Sequence, residues 1–125
     1  MRLATFAAAF AAAAIIATPA LAHSKLVTAT PAANSVVSPP SQLQLQFSER
    51  LVGQFSGVSL TMTGMPGMNM KAPMKIPVTT SFSADGKGLV AKLAKPLAAG
   101  SYRLDWHVVS IDTHRTQGGY AFQVK

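Results

Sequence analysis

The sequence predicts an all-β domain: an antiparallel Greek-key β-barrel or sandwich of about seven strands. Three observations carry that expectation. Short stretches alternate apolar and polar residues with a period of two, turn-forming residues recur between them, and nothing beyond residue 22 has a convincing helical pattern.

The first 22 residues are read separately. Arg2 supplies a short positive region, Phe6 to Ala17 form an apolar run, and Ala20-Leu21-Ala22 fits a small-x-small cleavage site. This is the pattern of a secretory signal. Cleavage after Ala20 would leave Leu21 first, whereas cleavage after Ala22 places alanine at both critical small-residue positions. The second is preferred. The remaining 103 of the 125 residues have room for one domain, and they contain no other apolar stretch near the roughly 20 residues of a membrane helix.

The elements then follow in order. His23 to Thr30 reads as a first strand that Pro31 stops, and Asn34 to Ser41, with Pro39 and Pro40, as a loop. Leu43-Gln44-Leu45-Gln46-Phe47 alternates as a strand with one buried face does, and Val58-Ser59-Leu60-Thr61-Met62 does the same. Ile76 to Phe82 and Leu89 to Leu93 flank the turn signal Ala84-Asp85-Gly86-Lys87-Gly88, which predicts a hairpin. After a turn at Pro96 to Gly100, Tyr102, Leu104, Trp106 and Val108 share one face of a strand, with Arg103, Asp105 and His107 on the other. Tyr120 to Val124 is the last strand.

Composition narrows the function. There is no cysteine, so neither disulfides nor thiolate chemistry contribute. Without Arg2, ten Lys and Arg stand against Glu49, Asp85, Asp105 and Asp112, a net charge of +6 that favours acidic partners or surfaces. The cations are scattered, with no basic run and no interleaved aromatics, which argues against nucleic acid. No acid pair, phosphate loop or nucleophile motif suggests catalysis.

Between the second and third alternating strands lies the most unusual stretch, Met62-Thr63-Gly64-Met65-Pro66-Gly67-Met68-Asn69-Met70-Lys71-Ala72-Pro73-Met74. It holds every methionine except the first residue. Gly64, Pro66, Gly67 and Pro73 interrupt it, so the expectation is neither helix nor regular strand. Thioether sulfur is a soft donor suited to Cu(I), although a Met-rich cover over a core is the plainer alternative.

Two histidines occupy unusual places. His23 would be first after cleavage, and a terminal histidine offers its amine and its ring nitrogen to one metal as a chelate. His114 follows Asp112 in Ser110-Ile111-Asp112-Thr113-His114-Arg115; in an extended segment residues i and i+2 point the same way, so carboxylate and imidazole would converge. Such donors suit Cu(II) in a tetragonal arrangement. His107 is read as a surface residue or one that supports a ligand from behind.

These features together resemble the periplasmic copper-binding proteins of bacterial copper resistance, the CopC/PcoC type. The resemblance runs from Ala22-His23 through Phe47-Ser48-Glu49, Leu60 to Met65, Gly100 to Trp106 and Val109 to His114, and on to Phe122-Gln123-Val124-Lys125. It implies a Greek-key fold of the immunoglobulin-like or cupredoxin-like kind, with a Cu(II) site and, at the opposite end, a Cu(I) site. By resemblance the Cu(II) ligands are His23, Asp112 and His114. The Cu(I) ligands are drawn from Met62, Met65, Met68 and Met74. Family members with a mixed Met/His site place a histidine where Lys71 stands here, and a protonated lysine cannot ligate. Met70 beside it is then the replacement donor of an all-sulfur site.

The function implied is a periplasmic carrier that holds both copper oxidation states, with a membrane copper permease or a periplasmic multicopper oxidase as recipient. Thioethers suit that role because they stay neutral and form no disulfides in an oxidising compartment. The alternative is a copper-dependent oxidase, since an amino-terminal histidine brace also serves such enzymes. Tyr102, Trp106 and Tyr120 would have to form its sugar platform, yet all three fall on core-facing positions.

Overall fold

Side-chain alternation sets the two faces of each strand, and the apolar faces meet. In the computed structural model, which describes residues 24–125, the strands form two sheets packed face to face around that contact. One sheet holds β1 (Leu26–Thr30), β3 (Gln42–Phe47), β7 (Gly88–Lys92) and β6 (Thr79–Phe82), in that order. The other holds β2 (Val36–Val37), β9 (Arg115–Val124), β8 (Gly100–Val109), β4 (Gly57–Met65) and β5 (Met68–Ile76). A single 3-10 turn, Gly53–Phe55, precedes β4.

The residues predicted to face inward do so. Leu43, Leu45, Phe47, Leu60, Met62, Tyr102, Leu104, Val108, Tyr120, Phe122 and Val124 are all in the buried core, with Val58 and Trp106 packed half-buried against it. Trp106 meets Phe47 edge to face, ring centroids 5.1 Å apart. The two buried tyrosines find backbone acceptors: Tyr102 donates to the Ala98 carbonyl at 2.7 Å and Tyr120 to the Pro31 carbonyl at 2.8 Å. Burial raises both phenols, that of Tyr120 to about 12.

The structure corrects the strand count and the methionine tract. Among the described residues there are nine strands rather than about seven. Val36–Val37, expected in a loop, pairs with β9, and does so in parallel. Pro77 and Val78 separate β5 from β6, where a single strand from Ile76 to Phe82 was expected. The methionine tract, expected to be irregular, is a β-hairpin: β4 runs on to Met65, Pro66 and Gly67 turn, and β5 returns from Met68. Gly67 has φ 75°, the positive value that the third position of a Pro-Gly type II turn requires. Pro73 is tolerated because β5 is an edge strand, where one side of the backbone has no ladder partner. The ladder also slips there. Met62 faces Met74 and Gly64 faces Asn69, so β4 advances two residues while β5 advances five, and Met70 to Pro73 bulge from the pairing.

Candidate metal centres

The β8–β9 connection builds the first centre. It is a tight turn rather than the extended segment expected, with Thr113 at φ 73°. The convergence of Asp112 and His114 survives for a different reason: Asp112 Oδ1 accepts the backbone N–H of His114 at 3.1 Å, the side-chain turn that aspartate forms two residues ahead. Asp112 Oδ2 lies 3.1 Å from His114 Nδ1.

Ser110 holds this turn from inside. It is fully buried, its hydroxyl donates to Asp112 Oδ1 and reaches the His114 carbonyl, and its N–H donates to the same carbonyl at 3.0 Å. The Ser110 hydroxyl first, and the His114 N–H second, hold the Asp112 carboxyl down at about 2. The carboxylate is therefore charged at neutral pH, with Oδ1 occupied by donors and Oδ2 turned to the imidazole. Sequence reasoning missed Ser110; its signal was the Ser-x-Asp spacing, which favours side-chain bonding within a turn.

His23 lies outside the described residues. Its neighbour does not: Ser24 is buried, and its carbonyl accepts a hydrogen bond from Thr116 Oγ1 at 3.2 Å, two residues beyond His114. Lys25 and Ser48 fasten the same segment from β3, the Lys25 N–H to Ser48 Oγ and the Ser48 N–H to the Lys25 carbonyl, each at 2.9 Å. The chain thus enters the fold beside the Asp112/His114 turn. Among the described residues no three His, Cys, Asp or Glu side chains come together to hold a metal, so this pair needs a further donor.

The second centre is the methionine hairpin, at the other end of the same sheet. Met62 opposes Tyr102 on β8, and Tyr102 is seven residues from Val109 at the first centre, roughly 24 Å along a strand. The five candidate thioethers are not one cluster. Met62 and Met74 are directly opposed, as are Met65 and Met68, and opposed pairs bring their Cβ atoms to about 5 Å. Met62 and Met74 line an apolar cavity of about 360 Å³ with Ile76, Leu97 and Tyr102, whereas Met65 borders a separate hollow with Gly100 and Lys125. Exposure divides them again: Met62 is 4% exposed, Met65 45%, Met74 47% and Met68 59%. Met70 is half-buried against the core and Lys71 is exposed beside it.

His107 belongs to neither centre. It faces Gly57 and Gln117 on the outer side of the sheet, five residues from Tyr102 and so roughly 17 Å along the strand from the methionines.

Comparison with known proteins assigns this two-sheet chain to a family. A family model described as the CopC domain matches residues 26–125. The chain belongs to the CopC family. It is 48% identical to copper resistance protein C of Xanthomonas campestris pv. juglandis over 114 residues, covering 91% of this chain and 89% of that protein. Copper resistance protein C of Escherichia coli is 46% identical over 110 residues, covering 88% and 87% of the two chains. Among solved structures, the crystal structure of PcoC, a methionine-rich copper resistance protein from Escherichia coli, superposes with a TM-score of 0.76 at 45% identity, over 83% of this chain and 100% of that one. CopC proteins are copper-binding resistance proteins, not enzymes, so the oxidase alternative is set aside. No helix among the described residues is long and apolar enough to cross a membrane.

Proposed function

We propose that this CopC-family protein is a periplasmic copper carrier that takes Cu(II) at the Asp112/His114 end and Cu(I) at the methionine hairpin, for buffering or for transfer to a membrane permease or a multicopper oxidase. The observation that carries the Cu(II) half is the 3.1 Å separation of Asp112 Oδ2 and His114 Nδ1. Two donors each at about 2.0 Å from a metal and at right angles to one another stand roughly 2.8 Å apart, so the pair is spaced as neighbouring corners of a square plane. Cu(II) favours that plane. The amine and ring of His23, made terminal by cleavage after Ala22, supply the other corners, and the docking of Ser24 on Thr116 supports their arrival there.

The Cu(I) half rests on donor chemistry. Neutral thioethers are soft, and the cavity beside Met62 and Met74 has no carboxylate or imidazole in its lining to compete with them. Lys71 brings charge without a lone pair at neutral pH, so Met70 completes the donor set from the bulge.

Copper titration of the cleaved protein under oxidising and reducing conditions tests both halves. His114→Ala should impair Cu(II) binding and spare Cu(I), and Met65→Ala combined with Met68→Ala should do the reverse. If either variant lost both ions together, the two-centre reading would be overturned.

A further inference from the structure

Five of the ten cations that looked scattered in the sequence are gathered at one pole by the fold. Lys71 and Lys75 lie on β5, Lys95 borders the Met62/Met74 cavity, Lys125 borders the hollow beside Met65, and Lys92 ends β7 at the same pole. Among the described residues no Asp or Glu side chain accompanies them. Asp112 and Asp85 sit at the opposite pole, where Leu51 joins Ser110 and its N–H binds the Gly86 carbonyl, and Glu49 adjoins Ser48 there. Asp105, midway along β8, is already paired with Arg103 at 3.0 Å.

Edge protection accounts for part of this, since lysine and proline on an edge strand discourage pairing with another chain. It accounts for Lys71 and Lys75 only. Lys95 and Lys125 are on other segments, Lys95 lining one hollow with the exposed Met74 and Lys125 another with the exposed Met65, while Lys92 lies beside Pro77 to Thr79 just beyond the end of β5. The field of such a pole repels a free copper cation and attracts a negatively charged body. An anionic lipid surface would satisfy the charge, but it has no soft donor with which to exchange Cu(I) against a thioether.

We propose that the methionine pole is a docking face for an acidic protein surface that exchanges Cu(I) with it. The inference rests on the Cu(I) half of the proposed function for what is exchanged, though not for the docking itself. Electrostatic attraction brings the acidic face over the hairpin, the lysines hold it by surface ion pairs, and the exposed thioethers take or yield the ion by ligand exchange without any change of oxidation state. Such steering acts mainly on the association rate and fades with salt.

The test uses a labelled heptapeptide alternating methionine with acidic residues, and a second with lysine in place of the acids, each titrated by fluorescence anisotropy into the copper-free protein. The acidic peptide should bind, at least tenfold more weakly at 300 mM than at 20 mM salt, and the basic one should not. Lys71→Glu with Lys75→Glu and Lys95→Glu should abolish binding, while Lys25→Glu with Lys87→Glu at the other pole should leave it unchanged; a circular dichroism melt confirms that both variants fold. Equal binding of the two peptides, or loss of binding in both variants, would overturn the proposal. So would sedimentation with phosphatidylglycerol vesicles that depends on the same three lysines, in the absence of peptide binding. Because this arm contains no copper, a failure of Cu(I) binding would remove the proposed function and leave the docking result readable. Cu(I) preloaded on the acidic peptide should then reach the wild-type protein about tenfold faster than the triple variant.

Discussion

The buried hydroxyl of Ser110 donates to Asp112 Oδ1, the same oxygen that accepts the His114 backbone N–H. This fixes the carboxylate in the plane that presents Oδ2 to the imidazole. Removing the hydroxyl frees Asp112 to rotate without touching either candidate ligand. Ser110→Ala should weaken Cu(II) by about five- to tenfold, the equivalent of roughly 1 kcal/mol for one hydrogen bond, and leave Cu(I) binding unchanged. Equal Cu(II) affinities for wild type and Ser110→Ala in a competition titration would refute the positioning role.

The terminal amine is testable through processing. If His23 chelates through its amine, a protein carrying one extra residue before His23 should lose most of its Cu(II) affinity, because an amide nitrogen is far harder to deprotonate than an amine with a pKa of about 8. Tight Cu(II) binding by the extended protein would exclude the amine.

Burial separates the structural from the chemical use of methionine. Met62 is almost wholly enclosed and should cost about 2 to 5 kcal/mol when truncated to alanine, whereas Met68→Ala should change stability by less than about 0.5 kcal/mol, both read from urea unfolding. Met62→Leu keeps the volume and removes the sulfur. A drop in Cu(I) affinity in that variant, at near-native stability, would assign the buried thioether as a donor.

Imidazole distinguishes an all-sulfur Cu(I) centre from a mixed one. His107 is held roughly 17 Å from the hairpin by the β4–β8 register, and thioethers do not titrate near neutrality. Cu(I) affinity should stay nearly flat from about pH 7 to pH 5, and His107→Ala should not alter it. Lys71→His should raise affinity at pH 7 and introduce a fall through about pH 6. A native protein that already loses Cu(I) near pH 6 would contradict the assignment.

Asp85 gives a pH signature for the fold itself. The Ser83 hydroxyl and then the Lys87 N–H, at 2.9 Å, hold its carboxyl at about 2, below the unfolded value of 3.8. Its folded form binds protons less readily than its unfolded form, so the β6–β7 turn gains stability that is complete above about pH 4 and lost as pH falls through about 2. The stability difference between wild type and Asp85→Asn should be constant from pH 5 to pH 7 and shrink steadily below pH 4.

What the sequence determined by itself was everything whose physics is local. A period of two assigns faces without knowledge of neighbours, which is why Leu43, Leu45, Phe47, Tyr102, Leu104 and Phe122 were placed in the core correctly. The softness of sulfur and the chelating capacity of a terminal histidine are likewise properties of the residues. Tertiary structure decided what depends on position in a sheet. Pro73 forbids a strand in a sheet interior and is harmless at its edge, so the methionine tract read as irregular until β5 was seen to be an edge strand. Register alone splits the methionines into opposed pairs and removes His107 from their reach. And only packing brings Ser24 to Thr116, across 92 residues of sequence, because no local pattern records which strand the start of the chain will lie against.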